Sequence, residues 1–214
     1  MEFLGGRKME KIEWRKDKSY SMKKSPQILE VPKKPFFSIR GIGDPNQEDF
    51  KRRVACLYAV SYAIRMSPKK NWLIPDYQMY TVYPLEGQWG LQEKYLHEPV
   101  MKKEHFSYQL MIRQPDFVTE AIAQEAIQRS LSKLPEDLRE QVAFGKMEEG
   151  LCAQILHIGS YDEEPESFEK LEAFIAEEGY QRTSKEHKEI YISDPRKSAP
   201  EKMKTILRVK IEKR

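Results

Sequence analysis

Apolar positions along the chain fall into two rhythms, one of period two and one of three to four, and the order of the rhythms repeats. Phe36, Phe37, Ile39 and Ile42 form a short run closed by Gly41, Gly43 and Asp44-Pro45, which predicts a strand beginning near Pro35. Phe50, Val54, Leu57, Ser61 and Ile64 then recur at three- and four-residue steps, predicting a helix over 48–66 that Pro68 stops. Tyr, Val, Phe and Ile are dense over 77–84 and 105–113, predicting two further strands. Beyond Gln114-Pro115, Asp116 is the expected N-cap of a helix running to 131, with Val118, Ile122 and Ala126 on one face. The series then restarts. A strand over 151–158 ends at Gly159, and a helix over 165–178 carries Phe168, Leu171, Phe174 and Ile175 and ends at Gly179. Polar and apolar residues alternate over 187–193 and 205–211, as in half-buried antiparallel strands.

The order strand, helix, strand, strand therefore occurs twice, with a helical linker between. This predicts an α+β fold of duplicated βαββ units with antiparallel sheets, related by a pseudo-two-fold axis and leaving a ligand groove between the halves. Setting Pro84 against Pro195 places Tyr80 opposite Tyr191 and Gln78 opposite Glu189. The folded domain is expected over 35–214. Residues 1–34 lack periodicity and read as a flexible basic arm, whose opening MEFLGGRK, ahead of a second methionine, is either native or an expression remnant.

Charge sharpens this division. Residues 1–34 hold ten Lys or Arg and five Asp or Glu, so the remainder, with 27 basic and 29 acidic residues, is slightly acidic. No helix shows a basic stripe, which argues against direct nucleic-acid binding. No apolar run approaches the roughly 20 residues that cross a bilayer, and the N-terminus lacks a signal-peptide core, so a cytoplasmic protein without membrane contact is expected. Cys56 and Cys152 lie in apolar segments and in no metal-binding spacing, so neither a metal nor another cofactor is expected.

Nucleophile-elbow, metalloprotease, phosphate-loop and dinucleotide-binding motifs are all absent. What remains is a carboxylate among aromatic rings. Period two sets His187, Glu189 and Tyr191 on one face of their strand and Ile190 and Ile192 on the other. With the isoleucines turned toward the helices, Glu189 would face away from them into the groove, where it could attract a cation or act as a general base. A solvated strand glutamate is the plainer alternative. Tyr58, Tyr62, Trp72, Tyr77, Tyr80, Tyr83 and Trp89 crowd the segments expected to border the groove, and flat aromatic walls suit flat ligands. Tyr58 and Tyr62 sit one turn apart beside the apolar stripe of their helix. His157 could join a site with Tyr161, although a lone histidine at a strand end is more often structural. The acidic run Asp162, Glu163, Glu164 reads as the start of a helix, where negative charge is favoured.

The segments PLEGQWG, MIRQPDFVT, LCAQILHIGSYDEEP, HKEIYISDPRK and the terminal KTILR together resemble the stand-alone branch of the GyrI-like small-molecule-binding domains. The resemblance covers the body from about residue 35 to 211. It implies a central groove with Glu189 as receiver of cationic or aromatic ligands, and no DNA-binding domain. It further implies a similarity to cyclopropanoid hydrolases, which open the strained cyclopropane of DNA-alkylating compounds related to yatakemycin and duocarmycin. On that reading Glu189 activates the water, Tyr191 and Tyr62 supply hydroxyls to the reacting carbonyl, and Trp89 and Tyr80 stack on the ligand, with Tyr58, His157 and Tyr161 beside it. Two other classes stay open: a non-catalytic binder that sequesters cationic or aromatic compounds, and a gyrase-type module that binds a protein partner.

Overall fold

In the computed structural model, which describes residues 11–98, 100, 102–194 and 197–214, nine strands form one curled antiparallel sheet. They are β1 (Gln27–Val31), β2 (Lys34–Ile42), β3 (Leu85–Leu91), β4 (Phe106–Arg113), β5 (Ala143–Met147), β6 (Gly150–Ile158), β7 (Tyr180–Arg182), β8 (His187–Tyr191) and β9 (Lys204–Lys213). Three α-helices accompany them: α1 (Glu48–Arg65), α2 (Glu120–Ser130) and α3 (Glu164–Glu177). The sheet order is β1-β6-β9-β8-β3-β4-β2-β5, with β7 added alongside β9. The expected duplication is present: β2-α1-β3-β4 and β6-α3-β8-β9 meet along the β3–β8 pair.

Each unit also carries a preceding strand that crosses to the other unit. β1 pairs with β6, and β5 pairs with β2. Residues 32–33 alone join β1 to β2, although six inter-strand steps separate them in the sheet. Flat, that separation would be about 29 Å, whereas three Cα steps reach only about 11 Å. The sheet must therefore curl until its edges approach, and the link between β5 and β6 imposes the same closure from the other side.

Curling gives the sheet an inner face packed with charge and an outer face covered by helices. Lys188 on β8 reaches Glu86 on β3 at 3.0 Å and Glu149 at 2.9 Å, and Arg208 on β9 reaches Glu149 at 2.9 Å and Gln154 at 2.9 Å. Burial opposes ionisation of Glu149, yet Lys188 and Arg208 hold its carboxyl down at about 2. Tyr20 donates to Glu86 at 2.6 Å, Arg208 donates to the Ser19 carbonyl, and Asp17 pairs with Arg113 at 2.8 Å. The described part of the expected flexible arm, residues 11–34, thus closes the inner face, with Trp14, Tyr20 and Val31 buried. Its anchors sit singly in 3-10 turns and one strand, so no periodicity announces them. Residues 1–10 lie outside the described residues.

Two other expectations change. The strand expected over 77–84 falls one segment too early in the chain: β3 runs Leu85–Leu91, and 77–84 holds only a single parallel bridge from Tyr80 to Ile12. Gly87 and Gly90 disguise β3, since glycine lowers strand propensity. In the sheet Glu189 pairs with Gly87, and Pro195, on which the repeat alignment is set, falls outside the described residues. The linker helix is capped by Thr119 rather than Asp116, its hydroxyl accepting from the Ile122 amide at 3.3 Å. Cys56 and Cys152 are buried free thiols. Among the described residues no helix is long and apolar enough to cross a membrane.

Candidate functional site

The face that carries Glu189 follows from the strand registers. Val209, Leu207, Ile155 and Ala153 pack with Leu171 and Ile175 of α3, and Leu207 pairs with Glu189, which pairs with Gly87. Glu189 therefore lies on the helix side, and Ile190 is the residue turned to the inner face. This reverses the expected orientation, because the inner face also holds an apolar cluster that the isoleucines can join. α1 packs over β2 and β4 and α3 over β6, so the β3–β8 seam that carries Glu189 lies between the two helices.

Glu189 is fixed from both sides. His187 Nε2 donates to its Oε1 at 3.0 Å, and the Tyr191 hydroxyl donates to its Oε2 at 2.8 Å. Trp89 Nε1 in turn donates to the Tyr191 hydroxyl at 2.9 Å. Trp89 and Tyr191 lie two register positions to either side of the Gly87–Glu189 pair, so their side chains can meet only by crossing above Gly87. A Cβ at Gly87 would sit 2.7 Å from Trp89 Nε1 and 3.1 Å from the Tyr191 hydroxyl. Gly87→Ala is expected to part the Trp89–Tyr191 hydrogen bond and to lower stability by about 1–3 kcal/mol. Thermal unfolding with near-ultraviolet circular dichroism checks this, and an unchanged aromatic signal would contradict it.

Aromatic packing sets the walls. Phe50 of α1 stacks on Trp89 with centroids 5.9 Å apart, and Phe106 and Tyr108 close its other sides, leaving Trp89 only 6% exposed. Tyr58 and Tyr62 continue the four-residue steps from Phe50 along α1, with rings 6.3 Å apart and Tyr62 49% exposed. On the α3 side, Tyr161 meets Tyr191 edge-on at 6.2 Å, and Phe168 meets His187 at 4.9 Å. Burial, then the charge of Glu189, pushes the Tyr191 hydroxyl well above the usual phenol value. Burial, then Glu189 and Glu164, pushes Tyr161 up to about 12.

The structure thus brings Glu189, Tyr191, Trp89 and Tyr161 together, with Tyr58 and Tyr62 along α1. Tyr80 stands apart. It is fully buried against α1, where its hydroxyl donates to the Ser61 carbonyl at 3.3 Å, and Phe117 packs on its ring. His157 is 3% exposed with both nitrogens engaged inside the fold. Its Nε2 donates to the Ser160 carbonyl at 2.9 Å, and its Nδ1 shares a hydrogen bond with the Ser167 hydroxyl, also at 2.9 Å. It secures the turn that carries Tyr161. Trp72 lines a separate cavity of about 330 Å³ with Ile74, Phe117 and Ile122, and Tyr83 packs against Tyr20.

The sequence reading passed over Glu164. It opens α3, is 7% exposed, and its Oε1 has no hydrogen-bond partner among the described residues. Burial first, then the charges of Glu189 and Asp162, pushes its carboxyl up to about 9. In an acidic run at a helix start, only the fold distinguishes the one residue turned inward. Gly87 was legible as part of LEG, but its role as the space beneath a Trp–Tyr contact needed the register.

Comparison with known proteins bears on the fold as a whole. The family model for GyrI-like small molecule binding domains matches residues 24–210. A hydrolase from Listeria innocua is 34% identical with a TM-score of 0.84, the match covering 94% of this chain and 100% of that one. An uncharacterized conserved protein from Listeria innocua is 35% identical with a TM-score of 0.85, over 94% and 100% of the two chains. The C-terminal domain of EcmrR shares the fold at 15% identity and a TM-score of 0.54, over 89% and 98%. Comparison with curated proteins finds no match.

Proposed function

Because the chain belongs to the GyrI-like family of small-molecule-binding domains, we propose that its groove takes up a flat aromatic molecule and hydrolyses a cyclopropanoid ring held over Glu189. The observation that carries this reading is a carboxylate fixed by two donors, His187 and Tyr191, whose rings meet Phe168 and Tyr161. A carboxylate held in this way presents a fixed acceptor, and the residue that binds a ligand cation in a sequestering protein becomes a base when a water lies between. The similarity to a hydrolase at 34% identity over nearly the whole chain supports catalysis over binding alone.

Glu189 takes a proton from water as the water oxygen bonds to the cyclopropane methylene. The ring C–C bond breaks, its electron pair moves through the conjugated dienone onto the carbonyl oxygen, and that oxygen takes a proton to become a phenol. Strain relief and aromatisation drive the step. Tyr191 positions Glu189, Trp89 holds Tyr191, and the exposed rings of Tyr161 and Tyr62, with the partly buried ring of Tyr58, flank the ligand. Tyr80 and His157 support these elements from within the fold.

Incubation of the purified protein with a yatakemycin-type cyclopropanoid, followed by mass spectrometry, tests the reading. A product heavier by one water, formed over many turnovers, is the expected result. An unchanged compound that nonetheless binds would replace hydrolysis with sequestration, which the carboxylates of the groove favour for a cationic aromatic ligand.

A further inference from the structure

We propose that Glu164 is the proton donor of the groove, a neutral carboxylic acid that protonates the carbonyl oxygen of the bound cyclopropanoid while Glu189 receives the proton of water. This rests on the hydrolase reading above. The geometry begins with an anomaly. Glu164 is buried at the start of α3, near enough to Glu189 for that charge to act on it, and among the described residues its Oε1 has no hydrogen-bond partner and no cation is paired with it. Buried polar atoms are nearly always paired, so an unpaired one at a candidate site marks a position where a ligand atom can bind.

Its surroundings decide its protonation. The titratable groups around it are Glu189 and His187 on β8, Asp162 and Tyr161 on the preceding turn, His157 on β6 and Asp194. His187 donates to Glu189, and His157 is engaged with Ser160 and Ser167, so neither neutralises Glu164. The start of α3 favours an anion, but burial and the two nearby carboxylates outweigh it and push the group up to about 9. Two carboxyl groups in one site, one fixed by donors as an acceptor and one left neutral, divide into base and acid.

The competing proton donors are weaker. The Tyr191 hydroxyl is committed to Glu189 and held well above the ordinary phenol value. Tyr161, at about 12, is a poorer acid than Glu164 at about 9. Glu164 is therefore the strongest of these acids that still carries its proton at neutral pH. In the balanced step, water adds to the methylene and yields its proton to Glu189. The cleaved C–C pair ends on the carbonyl oxygen, which takes the proton of Glu164. Transfer of a proton from Glu189 back to Glu164 restores both groups, and the net reaction is addition of one water.

Glu164→Gln keeps size and removes the transferable proton. Its hydration of a yatakemycin-type cyclopropanoid is expected to be about 100-fold slower or more, with Glu164→Asp recovering part of the rate. Wild type should lose rate as the pH climbs through about 9, and Glu164→Gln should lack that limb. Infrared spectra without substrate give an independent measure: a neutral carboxylic acid band at neutral pH in wild type, lost in Glu164→Gln. Wild-type turnover with an unchanged rate and pH profile in Glu164→Gln overturns the proposal alone, as does a band that survives the substitution. Absence of wild-type turnover overturns the hydrolase reading, and the role of Glu164 as its acid with it.

Discussion

Replacing Glu189 by Gln is expected to slow cyclopropanoid hydration by at least about 100-fold while the protein stays folded. The substitution changes one acceptor oxygen into a donor NH₂ and removes the charge. His187 Nε2 can still donate to the remaining oxygen, and the Tyr191 hydroxyl, which now donates to Glu189 and accepts from Trp89, can turn to accept from the amide. The local network therefore rearranges at a cost of about 1–2 kcal/mol, small for a domain of this size. The base is lost outright. Initial rates followed by product mass, with thermal unfolding on the same samples, check both halves. Full turnover in a folded Glu189→Gln protein would remove Glu189 from the chemistry and leave it a ligand-orienting group.

The second large effect lies on the opposite face of the sheet. Lys188 adjoins Glu189 in sequence but points into the curled interior, 4% exposed, between Glu86 and Glu149. Lys188→Ala leaves Glu86 with Tyr20 and Glu149 with Arg208, so negative charge in a dry site is no longer balanced. Removing one partner of a buried ion pair costs about 3–5 kcal/mol. For a chain of about this length that lowers Tm by roughly 10 °C or more. Denaturant titration measures the loss, and a change below about 1 kcal/mol would show that the interior admits water. The pH dependence has a definite sign. Glu149 lies at about 2 in the folded chain and 4.5 when unperturbed, so its contribution is complete above about 4.5 and fades as the pH falls toward 2. Lys188→Ala should show less acid loss over that window, because one of the two cations that depress Glu149 is gone.

These two neighbours show how far sequence reading reaches. Period two separates Glu189 from Lys188 onto different faces, and nothing local tells which face meets the helices. Both faces of this sheet are buried, the outer by α1 and α3 and the inner by the curl and residues 11–34. The usual assumption that isoleucine marks the helix side therefore fails at Ile190. The surroundings of Tyr80 and His157 were not legible for a related reason: an aromatic or a histidine has the same local signature whether its polar atom serves a ligand or the fold. Only its partners, Ser61 for Tyr80 and Ser160 with Ser167 for His157, separate the two.

By itself the sequence determined the repeated strand-helix-strand-strand order, the extents of α1 and α3 within a residue or two, the membership of the family, and the presence of Glu189 beside Tyr191 on one strand face. Those are properties of short windows, set by periodicity, caps and breakers. The tertiary structure alone decided which strands cross between the units, that the N-terminal segment from residue 11 seals the interior, and that Trp89 and Tyr191 meet above a bare Gly87. It also turned Glu164 from the start of a helix into a buried acid beside Glu189. Each of these depends on contacts between residues tens of positions apart, whose energies come from burial and charge in a shared space that no local pattern encodes.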